Sequence, residues 1–190
     1  MREKIWGIII CICLLVFPMI SANGDPMNAK KLNTVDQVDL KKYVGLWYEI
    51  AKIPNPFQKM CTGNTTAQYT LREDGRIDVL NRCMKKDGSF TEANGIAKVV
   101  DSQTNAKLKV SFVRLLGISL FWGDYWIIGL DKEYRYAIVG EPSRKYGWIL
   151  SRTSEFSNEQ WEEANRILKE HGYDPEVFVK TLQNTFNSPE

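Results

Sequence analysis

The chain has 190 residues, of which 44% are hydrophobic and 25% charged, and its formal net charge is +2. That length and composition predict one globular domain with a sizeable core and exclude a second domain of ordinary size. A nearly neutral chain also lacks the basic surface that nucleic-acid binding needs, so no nucleic-acid partner is expected.

The first 22 residues are typical of a secretory signal peptide. A basic start precedes an apolar run over residues 5–20, and the small residues Ser21 and Ala22 follow it. An uncleaved membrane anchor is the alternative, but the run is shorter than the roughly 20 residues of a comfortable span. We expect cleavage near Ala22, with residues 1–22 as the signal and 23–36 as a polar linker. The protein is therefore predicted to be exported, as a secreted or periplasmic protein.

The cysteines divide between two regions of the chain. Cys11 and Cys13 lie within the predicted signal and both follow isoleucine, whereas a bacterial lipoprotein needs a cysteine after a small residue at its cleavage site. They give no support for a lipid anchor, and association with an outer membrane stays open. Cys61 and Cys83 remain in the mature chain, and two cysteines in an exported protein most often form a disulfide.

Beyond the linker, residues 37–185 are predicted to form one all-β domain. Segments that alternate apolar and polar residues are separated by turns such as Asp74-Gly75, which is typical of an antiparallel sandwich or barrel. Eight strands are predicted, near residues 47–53, 63–71, 76–83, 90–100, 106–114, 123–130, 134–140 and 146–152.

One helix and one short strand are predicted after the eighth strand. Ser157 and Gln160 form a capping box, an apolar stripe follows, and Gly172 lies where a helix normally ends. We expect the helix to pack on the outer wall of the barrel. A last strand near residues 176–182 is expected to pair beside the first strand.

Strand direction places two distant residues together. Gly45 permits a tight turn into a strand whose first inward residue is Trp47, and Arg152 ends the eighth strand. If the first strand begins at the floor of a barrel, hairpins alternate between rim and floor, and Arg152 arrives beside Trp47. A guanidinium over an indole is worth about 0.5 to 2 kcal/mol. These three residues are predicted as a structural floor, and the same count brings Cys61 and Cys83 together at the rim.

Side-chain alternation selects the residues that face the cavity of the barrel. The inward parity of Trp47 extends to Glu49 and Ala51. A buried carboxylate needs hydrogen bonds, and we expect Glu49 to find them at the floor beside Arg152, with a tyrosine or Asn81 as the alternative partner. The predicted ligand-binding residues share inward parity and are mostly apolar: Asn81, Leu108, Val110, Phe112, Tyr125, Ile127, Trp148 and Leu150.

The predicted loop between the fifth and sixth strands is more apolar than a solvent-exposed loop should be. Together with two other loops at the same end, it supplies the predicted rim or lid residues Phe57, Met60, Leu116, Phe121, Trp122 and Arg144. Three uses stay open: a lid folded into the cavity, a patch that touches a membrane transiently, or a homodimer contact. A loop collapsed onto the barrel is the structural alternative. Apolar tips beside a basic residue suit contact with anionic lipids.

The ordered set of motifs resembles the lipocalin family, in its bacterial lipocalin and apolipoprotein D branch. The motifs lie at residues 45–51, 66–71, 74–75, 79–81, 108–112, 128–131, 134–137 and 148–153. The resemblance runs from about 38 to 183. It implies an eight-stranded antiparallel up-and-down barrel with one C-terminal helix outside and a short final strand. It also implies a small hydrophobic ligand, in this branch a fatty acid or lysophospholipid, carried or stored for lipid transport or membrane maintenance.

Catalysis is the competing class of function. The sole histidine, His171, lies at the end of the predicted helix, where a cation is favourable, so it is interpreted as a cap. No His or Cys cluster has metal-binding spacing. We therefore predict no catalytic residue, no metal and no cofactor. Two alternatives are kept: an isomerase that uses a Cys61 thiol, against which pairing with Cys83 argues, and a carrier of haem or a carotenoid.

Overall fold

The structure is a computed structural model and describes residues 31–115 and 118–183. The predicted signal peptide, the first part of the predicted linker and Leu116 lie outside the described residues. The later part of that linker packs against the barrel, because Leu32 is buried and the backbone N–H of Val35 donates to the carbonyl of Ile127.

Eight antiparallel strands close into a barrel. The strands of the described chain are β1 (Gly45–Lys52), β2 (Cys61–Leu71), β3 (Ile77–Lys85), β4 (Phe90–Val99), β5 (Lys107–Ser111), β6 (Val113–Leu115), β7 (Ile118–Leu120), β8 (Gly123–Leu130), β9 (Tyr136–Gly140), β10 (Gly147–Ser151) and β11 (Val179–Lys180). Around the barrel the order is β1-β2-β3-β4-β5-β8-β9-β10, and β10 pairs with β1. The predicted all-β, eight-stranded up-and-down fold is confirmed.

The helices cap the barrel and cover one side of it. Helix α1 (Leu40–Tyr43) precedes β1, and α2 (Asn158–Glu170) follows β10. Two 3-10 turns, Pro56–Gln58 and Pro175–Val177, lie in the first loop and after α2. Within residues 31–115 and 118–183, no helix is long and apolar enough to cross a membrane.

Two apolar layers stabilise these elements. Inside the barrel, alternate residues such as Trp47 and Ile127 form a buried cluster. On the outer wall, Ile138 and Ile149 pack against Leu168 of α2, and all three side chains are fully buried. Each such burial contributes about 1.5 to 3 kcal/mol, so the packing of α2 outside the barrel follows from its apolar stripe.

The start of α2 has the predicted capping box. The Ser157 hydroxyl accepts from the backbone N–H of Gln160, and the Gln160 side chain accepts from the backbone N–H of Ser157. These reciprocal bonds satisfy two N–H groups that the first turn of a helix would leave unpaired.

The C-terminal strand β11 fills a gap in the barrel wall. It pairs with the second half of β1, where β2 has already diverged, and so lies beside the first strand as predicted. The backbone N–H of Thr181 donates to Ile50, and Leu182 accepts from Asn64 of β2. The strand is shorter than the predicted 176–182, because Asp174 caps a 3-10 turn there that begins at Pro175.

A β-bulge in β1 changes the parity of its second half. The pairing with β10 shifts register between Glu49 and Ala51. Ala51 consequently packs in the outer cluster beneath α2, while Lys52 pairs with Trp148 of the inner cluster. The prediction that Ala51 faces the cavity is wrong, because one extra residue moves all following side chains to the other face.

A disulfide joins Cys61 and Cys83 at the rim. Cys61 begins β2 and Cys83 lies near the end of β3, at the opposite end of the barrel from Trp47. The pairing predicted from strand direction is confirmed. The bond closes a segment with a sequence separation of 22 and contributes about 3 kcal/mol in the chain-entropy account of cross-linking.

The fifth strand is shorter than predicted, and the apolar loop after it forms a hairpin. β5 ends at Ser111, and β6 pairs with β7 apart from the barrel sheet. The Ser111 hydroxyl donates to the carbonyl of Leu120, and the Trp122 ring lies 4.3 Å from the ammonium of Lys98. Both Ser111 and Lys98 face outward, so the base of the hairpin is attached to the outer wall.

Candidate ligand-binding site

The floor of the barrel is built around the Arg152 guanidinium. Its Cζ atom lies 3.7 Å from the centroid of the Trp47 ring. Gly45 has φ +101°, and a Cβ atom there would lie 3.3 Å from Arg152 Nη1, so this position favours glycine for two reasons. The guanidinium donates to five backbone carbonyls, those of Lys42, Tyr43, Val44, Leu46 and Tyr134. Arg152 therefore caps the end of α1 as well as stacking on Trp47.

The floor also positions a tyrosine in the lumen. The carbonyl of Tyr43 accepts from Trp47 Nε1 at 2.8 Å and from Arg152 Nη2 at 3.1 Å. Both members of the cation–π pair thus hold the last residue of α1. The Tyr43 ring lies 5.1 Å from the Trp47 ring and 6.0 Å from the Tyr69 ring, measured between centroids.

Three tyrosine hydroxyls meet across the lumen. The Tyr43 and Tyr125 hydroxyl oxygens are 2.8 Å apart, and those of Tyr69 and Tyr125 are 3.1 Å apart. Tyr69 belongs to β2 and Tyr125 to β8, which are the second and sixth of eight strands around the barrel and so stand on opposite walls. We call these three residues the tyrosine bridge.

The tyrosine bridge keeps its protons at neutral pH. Burial raises the pKa of Tyr69 to about 12 and the pKa values of Tyr43 and Tyr125 well above their usual range. The three protonated hydroxyls have three O–H donors between them, and the two hydrogen bonds within the bridge use two of these donors. The bridge therefore retains one O–H that can donate to an oxygen atom in the lumen.

The tyrosine bridge predicts a loss of stability in alkali. The unfolded chain releases the Tyr69 proton near pH 10, whereas the folded chain retains it up to about pH 12. Between these values the unfolded state binds fewer protons, so stability falls as pH rises, by roughly 1.4 kcal/mol from Tyr69 at pH 11. Urea unfolding at pH 8 and at about pH 11 measures this loss. It should be smaller in Tyr69→Phe, and an equal loss in that variant would contradict the assignment.

Strand pairing directs seven of the eight predicted ligand-binding residues to the inner face of the barrel, and Phe112 lies beyond the end of β5. Leu108, Ile127 and Leu150 are buried in the inner cluster and have little surface left for a ligand. The others keep some accessible surface, and Phe112 is exposed: Asn81, Val110, Phe112, Tyr125 and Trp148. Among them, Phe112 lies over Gly95, where an added Cβ would be 2.7 Å from the ring, so the glycine makes room for it.

A family model described as a lipocalin-like domain matches residues 38–183. The chain belongs to the lipocalin family. Members of this family bind small hydrophobic ligands.

Individual relatives agree with this assignment. Temperature-induced lipocalin-1 of Arabidopsis thaliana is 39% identical over 158 residues, which cover 82% of this chain and 84% of the relative. Outer membrane lipoprotein Blc of Escherichia coli K12 is 36% identical, with coverage of 87% and 90%. Apolipoprotein D of Mus musculus is 36% identical, with 78% of each chain covered. The predicted resemblance to the bacterial lipocalin and apolipoprotein D branch is confirmed.

Glu49 of this lipocalin lies in a polar network above the floor. Its carboxylate is 3% exposed and accepts from Lys52 Nζ at 2.8 Å, Gln58 Nε2 at 2.7 Å and Thr181 Oγ1 at 2.6 Å. The prediction that Arg152 satisfies Glu49 is wrong, because the backbone carbonyls of the floor occupy that guanidinium. The alternative of a tyrosine or Asn81 is wrong as well.

The rim residues are placed in three different ways. Phe57, Met60 and Phe121 are exposed at the open end, with Phe121 82% exposed. Trp122 lies outside the wall on Lys98, and Leu116 is outside the described residues.

Arg144 lies in the loop between β9 and β10, at the open end of the barrel. Its Nε donates to the carbonyl of His171, at the C-terminal end of α2, at 2.7 Å. Its role as a basic rim residue stays a prediction. A cation suits the C-terminus of a helix, and the side chain stabilises that end of α2.

Alternation along single strands missed several residues of the site. Tyr69 shares the inward parity of its neighbours in β2 and could have been found from that pattern. Four others could not be found from that pattern, because they come from a short helix, from beyond a bulge, from a loop and from the C-terminal segment: Tyr43, Lys52, Gln58 and Thr181.

Proposed function

We propose that this lipocalin binds a single-chain lipid, a fatty acid or a lysophospholipid, and carries or stores it in the barrel. The observation that carries the proposal is the apolar interior of the barrel, which the tyrosine bridge spans and where Val110 and Trp148 pack against the inner cluster. An acyl chain gains about 0.8 kcal/mol for each methylene buried there, without demanding exact geometry.

We propose that the rim touches a membrane during lipid transfer. Exposed apolar residues gather at the open end: Phe57, Met60, Leu115, Ile118 and Phe121. A monomeric protein rarely exposes so many large apolar side chains together without a partner. Exposed Lys59, in the loop of Phe57, and exposed Lys145, in the loop between β9 and β10 at the same end, suit an anionic lipid surface. The hairpin stands on the outer wall, which favours the membrane patch over a lid folded into the cavity.

We also propose a binding protein rather than an enzyme. The isomerase alternative needs a free thiolate at Cys61, and that sulfur is bonded to Cys83. Similarity to an outer membrane lipoprotein supports export, to the periplasm or outside the cell, with association to an outer membrane. Extraction of the purified protein with organic solvent, followed by mass spectrometry, identifies the lipid that it carries.

Loss of two hairpin side chains tests the membrane contact. The double variant Ile118→Ser/Phe121→Ser should bind vesicles of phosphatidylcholine and phosphatidylglycerol about tenfold more weakly, because two apolar insertions are lost. Uptake of a fatty acid from those vesicles should slow in parallel. Val100→Ser is the matched control, since Val100 is exposed at the closed end of the barrel. Unchanged vesicle binding and uptake in the double variant would rule out the membrane contact.

A further inference from the structure

Three aromatic rings form a continuous path from the surface into the lumen. Phe57 stands in the first loop and is 66% exposed. Its ring centroid lies 5.4 Å from that of Tyr146 in the last loop, and Tyr146 lies 6.4 Å from Trp148, with 23° between their planes. Trp148 faces the lumen from β10. We call Phe57, Tyr146 and Trp148 the aromatic ladder.

The ladder is held in place by the side chain of Gln58. Its amide Nε2 donates to Glu49 of β1 at 2.7 Å, and its Oε1 accepts from Trp148 Nε1 at 3.2 Å and from Asn55 Nδ2 at 2.8 Å. The Gln58 side chain thus connects the turn on which Phe57 lies with the barrel wall and with Trp148, the innermost ring. The rings are therefore arranged before any ligand arrives.

The geometry points to the aromatic ladder as the route by which an acyl chain passes between a membrane and the lumen. This inference rests on the proposed lipid binding and names the place of uptake, between the loop that follows β1 and the loop that precedes β10. An acyl chain that moves along these neighbouring aromatic rings keeps part of its apolar surface out of water during the passage.

The position of Phe57 distinguishes a route from a binding contact. Its ring lies at the outer end of the ladder, beyond the lumen in which a bound chain rests. Phe57 then contacts the ligand during passage and not in the final complex. Removing the ring should slow uptake and release by the same factor and leave the equilibrium affinity unchanged.

Stopped-flow transfer of cis-parinaric acid, a fluorescent fatty acid, from phosphatidylcholine vesicles tests the route. Phe57→Ala should reduce both the uptake and the release rate about fivefold, with the dissociation constant changed less than about twofold. Phe90→Ala is the control, because Phe90 is exposed at the same end of the barrel but packs outside the wall on Arg82.

The outcomes separate the route from the function on which it rests. Unchanged rates in Phe57→Ala would overturn the route, as would faster release with unchanged uptake. An equal slowing in Phe90→Ala would overturn it too, because any rim aromatic would then suffice. Wild-type protein that takes up no parinaric acid would contradict the proposed function itself. Thermal unfolding midpoints equal to wild type show that the variants are folded.

Discussion

Replacement of Arg152 with alanine is expected to lower the free energy of unfolding by about 4 kcal/mol. The guanidinium stacks on Trp47 and donates to carbonyls at the end of α1 and to those of Leu46 and Tyr134. Hydrogen bonds from a charged donor contribute about 1.5 to 3 kcal/mol each, although they are not additive when one side chain makes all of them. Equilibrium unfolding in urea measures the loss.

The conservative variant separates stacking from hydrogen bonding at this site. Arg152→Lys should cost about 2 kcal/mol, because an ammonium has three donors and no plane to lay on the indole. Arg135→Ala is the matched control, since Arg135 lies at the same end of the barrel and its exposed side chain pairs, among the described residues, with Asp131 alone. A surface pair contributes at most about 1 kcal/mol. Equal losses in Arg152→Ala and Arg135→Ala would contradict the floor as described.

A floor that fixes Tyr43 links stability to the ligand site. Truncation of Arg152 frees the carbonyl end of α1, and Tyr43 then loses one of the two donors that hold it against the lumen. The tyrosine bridge depends on that position. Arg152→Ala should therefore weaken lipid binding in addition to stability, whereas Arg135→Ala should change neither.

The barrel could be predicted because each strand buries only one of its two faces. In β5, Leu108 and Val110 alternate with lysines, so a shift of one residue would bury charge and expose the apolar side. The floor could be predicted from the number of strands alone. Because strand directions alternate, the eighth strand finishes at the end of the barrel where the first strand starts, and Arg152 therefore lies beside Trp47. Neither conclusion needed a side-chain position.

The missed features depend on offsets of one residue and on contacts between distant segments. A β-bulge is not marked by the alternation of apolar and polar residues, so the sequence of β1 could not predict that Ala51 faces outward. Thr181 reaches Glu49 across 132 positions of sequence. Arg144 turns to the end of α2 because an unpaired carbonyl is within its reach, which a loop sequence does not reveal.

Replacement of Glu49 with alanine is also expected to destabilise the barrel by about 4 kcal/mol. The carboxylate is 3% exposed and is the ion-pair partner of Lys52, whose side chain is 15% exposed. Without Glu49, the ammonium stays in the lumen with no counter-ion, and Gln58 and Thr181 lose their acceptor. Urea unfolding measures the loss. Trypsin should also cut faster after Lys180, because the hydroxyl of Thr181 no longer ties the C-terminal segment to β1.

A double-variant cycle tests whether the unpaired charge causes this loss. If it does, Glu49→Met/Lys52→Met should be more stable than Glu49→Met alone by about 2 kcal/mol, because apolar side chains replace both charges. Glu163→Met and Arg166→Met serve as the control cycle, since that pair is exposed on α2 and should show coupling below about 1 kcal/mol. If replacing Lys52 as well restored none of the lost stability, the hydrogen bonds from Gln58 and Thr181 would be the main contribution of Glu49 to the stability of the barrel. The ion pair with Lys52 would then contribute little to holding the C-terminal segment against the barrel wall.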